Sequence, residues 1–178
     1  MGRLLDLDTS KAGSTIITST MGMRNYLLDT FQYNDITNRK LLKKINQLPE
    51  QAEPIRHFSH LINSQYKWMA RIRQDPGAIE MSWWDPVYPF DGLEQEWLKS
   101  VEIWINYIEF MTEEQLNTEI IFTGFDGGKW AATPLDIALQ LNYHSIHHRA
   151  QIQTMIRQQG IEPDFVDYIG TRYRKISK

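Results

Sequence analysis

Residues 133–160 read TPLDIALQLNYHSIHHRAQIQTMIRQQG, and the reading of this stretch decides the fold. Thr133 can cap a helix, Pro134 suits a first helical position, and Asp136 is placed for a capping-box-like start. Gly160 supplies a C-terminal stop after Gln159. At about 100° per residue, Ile137, Leu141, His144, His148, Ile152 and Met155 share an arc of about 80°. Asp136, Gln140, His147, Thr154 and Gln158 share a polar arc of about 40°. The segment therefore predicts a long amphipathic helix. His144 and His148 look inward from it, one turn apart, and His147 looks outward.

Three further blocks of helical period precede it. From about Met23 to Leu48, the residues Leu27, Phe31, Asn34, Asn38, Leu41, Ile45 and Leu48 recur at spacings of three and four. Two asparagines interrupt that stripe. Either they line a polar pocket or wet bundle core, where buried amides need partners, or this part of the stripe is solvated. The block from about Pro54 to Arg73 carries Ile55, Phe58, Ile62, Met69 and Ile72 on its apolar face, with Pro54 acceptable at a helix start. The block from Asp91-Gly92 to about Met111 carries Leu93, Trp97, Val101, Trp104, Ile105 and Ile108. Between the second and third blocks, residues 75–92 hold three prolines, two glycines and the Trp83–Trp84 pair. They read as a long aromatic connection that packs over something. Thr118–Thr123, the turn residues 124–128 and Lys129–Ala132 read as a small β-hairpin. The predicted architecture is all-α: a four-helix bundle with a β-hairpin before the last long helix. Residues 1–22 are expected to be an N-terminal extension, and residues 23–178 the helical-bundle domain.

Composition bounds the function. The chain has 178 residues, 42% apolar and 23% charged, with a net charge of −3. That suits one globular domain and offers no overall basic footprint for nucleic acid or an anionic membrane. The basic tail, Arg172, Arg174, Lys175 and Lys178, reads as a solvated end. No apolar run reaches the ~20 residues that span a bilayer, and the N-terminus lacks a signal-peptide core, so a cytoplasmic setting is expected. There is no cysteine, which removes disulfides, thiolate ligands, iron–sulfur clusters and a cysteine nucleophile. No Glu-x-x-His pair is present, against a ferritin-like di-iron site.

Five histidines remain: His57, His60, His144, His147 and His148. Two inward imidazoles at i and i+4 can chelate a divalent ion, although the glutamate of the metalloprotease motif is replaced by Ser145. A third ligand must come from another element, and the second block offers two. Pattern alone leans to His57, which falls beside Leu61, Ser64 and Trp68, whereas His60 lies nearer Lys67 and Arg71.

His60-Leu-Ile-Asn-Ser-Gln-Tyr-Lys-Trp68 and His144-Ser-Ile-His-His148-Arg-Ala-Gln151 resemble the signature of the DinB-like (DinB/YfiT) metal-binding proteins. Tyr33-Asn34 with Asn38, the hairpin glycines, and Pro163 with Asp167-Tyr168 agree with it, so the resemblance runs from about Met23 to Arg174. It implies a down-up-up-down bundle, a homodimer, and a divalent metal, zinc or nickel, held by three histidines. Carried over by position these are His60, His144 and His148, because only His60 stands eight residues before a tryptophan. The resemblance thus overrules the lean to His57. Ala150, where many members have glycine, is a mild departure.

Three neutral imidazoles leave a divalent ion a net charge and an open position. There it can lower the pKa of bound water or activate a bound thiolate. The resemblance points to the second chemistry, a low-molecular-weight-thiol S-transferase taking a small thiol and an electrophile. The alternatives are a metal-dependent hydrolase, and a non-catalytic metal-binding bundle acting in stress or interaction. No side chain declares itself as general acid or base. Asn34, Asn38, Trp68 and Gln151 are the candidate pocket residues, Gln151 as an orienting partner of a ligand. Arg149 is expected to be a structural ion-pair partner.

Overall fold

Each amphipathic block becomes a helix. In the computed structural model, which describes residues 22–177, α1 spans Met23–Ile45, α2 Ala52–Ile72 and α3 Phe90–Glu109. A short helix α4 (Glu113–Leu116) and a hairpin of β1 (Ile120–Thr123) and β2 (Lys129–Ala132) lead into α5, Pro134–Gln158. The extension expected at 1–22 lies outside the described residues but for Gly22, as does Lys178. No helix among the described residues is long and apolar enough to cross a membrane.

Local chemistry sets the ends of these elements. Thr133 Oγ1 accepts from the Asp136 amide at 3.0 Å and donates to the Asp136 carboxylate at 2.7 Å, so it caps α5 as expected. Gly160, at φ +80°, closes the same helix: its N–H donates to the Arg157 carbonyl, and Ile161 N–H to the Ile156 carbonyl. That is a Schellman stop. The end of α2 has the same pair of bonds, Gln74 N–H to Arg71 and Asp75 N–H to Ala70. There the left-handed position, φ +56°, is held by Gln74 instead of glycine. The sequence reading did not find α4, a single turn fixed by a capping box between Thr112 and Gln115.

Helix directions follow from side-chain pairs. Phe58 meets the Trp97 ring, and Trp104 Nε1 donates to the Gln65 carbonyl, so α2 and α3 run parallel. Asn34 donates to Asn142 and Asn38 to Ser145, so α1 and α5 run parallel. His57 faces His148 while His60 faces His144, so α2 and α5 are antiparallel. The order is down-up-up-down. The long connection between α2 and α3 makes this possible, because it gives the chain length to return before starting α3.

All seven residues of the first stripe are buried, six on α1, Asn34 and Asn38 among them, and Leu48 just beyond its end. Two apolar clusters fill the bundle. One gathers Leu41, Ile45, Phe58, Ile62, Trp97 and Ile152, and the other Leu27, Phe31, Met69, Trp104, Ile137 and Leu141. Between the two sets on α1 and α5 lies a polar layer: Asn34, Thr37 and Asn38 on one helix, Asn142, Ser145 and Arg149 on the other. The inward histidines of α5 belong to the same stretch of helix.

Candidate metal centre

His144 and His148 leave α5 from its inward face, and His60 meets them from α2. The Nε2 atom of His144 lies 3.0 Å from Nε2 of His60 and 3.0 Å from Nε2 of His148. The ligand atoms of all three fall within 4.8 Å of one another, and the group could hold a metal ion. Lone pairs this close repel unless a proton or a cation lies between them. Ligands of a tetrahedral site with metal–nitrogen bonds of ~2.0–2.1 Å stand about 3.3 Å apart, close to the spacing here. The three imidazoles therefore fit a divalent cation in donor type and in separation.

Backbone chemistry selects the reactive nitrogen of His60. Its Nδ1 lies 2.6 Å from the Trp83 carbonyl oxygen. A carbonyl only accepts, so Nδ1 carries the proton and donates, which leaves the Nε2 lone pair facing the other histidines. The Trp84 indole stacks on the same ring, with centroids 4.0 Å apart and planes 13° from parallel. His148 Nδ1 is buried with no hydrogen-bond partner among the described residues, so its Nε2 is the nitrogen committed to the cluster.

Burial keeps the cluster neutral. It is the leading cause that holds His60 below its ordinary value, against the opposing pull of the Trp83 carbonyl. Burial, then His60 and His147, bring His144 to about 4, and burial followed by the neighbouring imidazoles brings His148 to about 3. At neutral pH all three imidazoles are uncharged, the form that binds a metal.

The connection between α2 and α3 roofs the site, and polar residues of α2 hold it down. Asn63 donates to the Pro86 carbonyl at 3.1 Å, Ser59 Oγ accepts from the Tyr88 amide at 3.1 Å, and Lys67 donates to the Met81 carbonyl. A cavity of about 240 Å³ opens beside the cluster, lined by His60, His144, Ser64, Trp68, Trp83, Gln140 and Leu141.

Of the candidate pocket residues, Trp68 lines this cavity. Asn34 and Asn38 do not: both accept from the Arg149 guanidinium at 3.1 Å, and they donate to Asn142 and Ser145 respectively. Their side chains bond α1 to α5 on the other side of the helix. Gln151 does not orient a clustered histidine either; its Nε2 lies 3.2 Å from Nε2 of the exposed His147. Among the described residues Arg149 has no ion-pair partner. It is 2% exposed, and its donors go to neutral acceptors: Asn34, Asn38, the Thr37 hydroxyl at 2.6 Å and the Tyr33 hydroxyl at 3.1 Å. Arg172 is not a free solvated end, because it pairs with Asp29.

His57 stays outside the cluster. Its Nδ1 lies 3.0 Å from the Glu53 carbonyl, and its ring sits edge-on to Trp84. The helical wheel misjudged α2 because it took the arc of His60, Lys67 and Arg71 as solvated. Lys67 and Arg71 are in fact buried, at 5% and 7% exposure. The tryptophan connection and the hairpin cover that face. The signal was present in the sequence as an aromatic connection next to a stripe of polar residues.

The sequence matches the DinB superfamily over residues 40–152, well over half of the chain and a span that contains all three clustered histidines. No match is found among curated proteins or among solved structures.

Proposed function

The chain belongs to the DinB superfamily, and from that premise we propose that it is a metal-dependent enzyme of the thiol S-transferase type. The observation that carries this is the convergence of the three Nε2 atoms beside a cavity that His60 and His144 line. In this reading His60, His144 and His148 would hold the metal, and His60 and His144 also line the cavity from which a substrate would reach it. A divalent ion held by these residues, zinc or nickel, would supply Lewis acidity that favours the thiolate form of a small thiol near neutral pH. The thiol's proton leaves to solvent, its sulfur bonds to the electrophilic carbon, and the leaving group departs with the electron pair.

The protein's own groups position and exclude. The Trp83 carbonyl fixes the His60 tautomer, as outer partners of metal-bound histidines generally do. Trp68 and Trp83 give the cavity apolar walls, while the Gln140 amide offers a polar contact. At about 240 Å³ the cavity is smaller than a typical small-molecule pocket of ~300–1,000 Å³, so it suits the reactive end of a substrate. With no cysteine in the chain, the sulfur arrives with the substrate.

The test is a coupled screen of low-molecular-weight thiols against electrophiles on the metal-loaded protein, with His148→Ala as the control. Thiol consumption by the loaded protein and none by the variant is expected. A protein that binds one ion per chain and consumes no thiol in any pairing is instead a non-catalytic metal-binding bundle.

A further inference from the structure

A second cavity, of about 300 Å³, lies between the C-terminal end of α2 and the hairpin, lined by Arg71, Gln74, Asp75, Phe122, Thr123 and Lys129 among others. It shares no lining residue with the histidine cavity. We infer that this cavity is an oxyanion-binding site for the carboxylate or phosphate group of a small ligand, with Arg71 and Lys129 as its two cationic contacts.

Arg71 carries the argument. The residue is more than nine-tenths buried, yet its Nε has no hydrogen-bond partner among the described residues. Among the described residues no carboxylate stands in ion-pair range of it. A buried guanidinium without an anion is a costly arrangement, and native structures ordinarily give such a group an acceptor. Three aromatic rings offset part of that cost. The guanidinium carbon lies 4.8 Å from the Trp68 centroid, 5.0 Å from Trp83 and 5.2 Å from Phe122. Ring faces attract the charge but offer nothing to the in-plane N–H fork, which is the part of arginine that recognises an oxyanion.

The other cationic groups at this place agree. Lys129 sits on β2 opposite Thr123 and donates to its hydroxyl at 3.0 Å, so its ammonium keeps further donors for a ligand. Among the described lining residues Asp75 is the one carboxylate; it accepts from the Gly77 amide at 2.8 Å, and Arg71 and Lys129 outweigh its charge. Lys67, one turn before Arg71 on α2, directs its ammonium to the Ile79 and Met81 carbonyls. It therefore adds positive charge nearby without filling the cavity. Ile79, Ala78, Ile121 and Phe122 complete the lining with carbon surface, which suits an oxyanion borne on a small organic skeleton.

The test is calorimetric titration of the purified full chain, at low ionic strength, with inorganic phosphate and separately with succinate. Saturable binding of at least one probe is expected, and the probe that binds tells a phosphate-bearing ligand from a carboxylate-bearing one. Arg71→Lys, which keeps the charge and loses the fork, should weaken binding by about tenfold, and exposed Lys129→Gln by at least a few-fold. His144→Ala should leave the titration unchanged, which separates this site from the histidine cluster. Absence of saturable binding by either probe overturns the inference. So does binding that survives Lys129→Gln or folded Arg71→Lys at full strength, or that is lost in His144→Ala.

Discussion

The Trp84 indole lies flat against the His60 imidazole, 4.0 Å between centroids, while the backbone of the residue before it accepts the His60 Nδ1 proton. One dipeptide thus sets both the plane and the tautomer of a clustered histidine. Outer partners of this kind are typically worth 10–100-fold in metal affinity. Trp84→Ala should leave the helical content intact and weaken zinc binding by about tenfold. Competition against a chromophoric chelator measures this, and an unchanged affinity would show that the stack orients nothing.

Removal of a clustered imidazole should act more sharply. His60→Ala, His144→Ala and His148→Ala should each lose the bound ion, whereas His57→Ala and His147→Ala should retain about one per chain. Metal analysis after reconstitution and gel filtration decides. Loss of the ion in His57→Ala but not in His60→Ala would reverse the assignment on α2.

The difference between His57 and His60 shows what periodicity can and cannot reach. The α1 stripe and the inward pair on α5 were legible because apolar contact repeats with the helix period, and burial followed the pattern at Leu27, Asn38, Ile45 and Ile152. The polar face of α2 was not, because what covers it comes from a distant, aperiodic connection that carries Trp83 and Trp84. For the same reason, periodicity could place Asn34 and Asn38 inside the bundle but could not choose their partners. Arg149, which holds them, is more than 110 residues away in sequence.

Acid should destabilise the metal-free chain over a defined window. In the folded protein burial brings His144 to about 4 and His148 to about 3, whereas unfolded histidines titrate near ~6.5. Between those values the unfolded chain binds more protons, so stability falls as the pH drops from about 6.5 towards about 4, and these groups add no slope above that window. Urea midpoints of chelator-treated protein at pH 7.5, 6 and 5 test the sign. His148→Phe should flatten the dependence, and a midpoint that rises with acid would contradict it.

The buried guanidinium of Arg149 should matter far more to stability than an exposed one. Arg149→Ala strands the Asn34 and Asn38 side-chain carbonyls inside the bundle and takes a donor from the Thr37 and Tyr33 hydroxyls, at a cost of about 3 kcal/mol or more. Arg39→Ala removes only a partly exposed i,i+4 pair with Asp35 and should cost below about 1 kcal/mol. Chemical denaturation of the two variants at neutral pH compares them directly.

Gly160→Ala should destabilise by about 1 kcal/mol, because a Cβ disfavours the left-handed position that ends α5. No atom crowds the place where that Cβ would stand, so the penalty is conformational and not steric. The reciprocal change at the end of α2, Gln74→Gly, should be neutral to mildly stabilising. Thermal unfolding of both proteins reads the difference.

His60 and His144 are 84 residues apart along the chain, and this has a consequence for the order of events during synthesis. At ~5–20 residues per second, the first histidine leaves the translating ribosome several seconds before its partners. Until α5 emerges, the nascent chain offers a single imidazole from this cluster, and no three-point chelate exists. Three-point capture of a divalent ion by this cluster would therefore have to wait until α5 has docked, and a product truncated before α5 should not retain one.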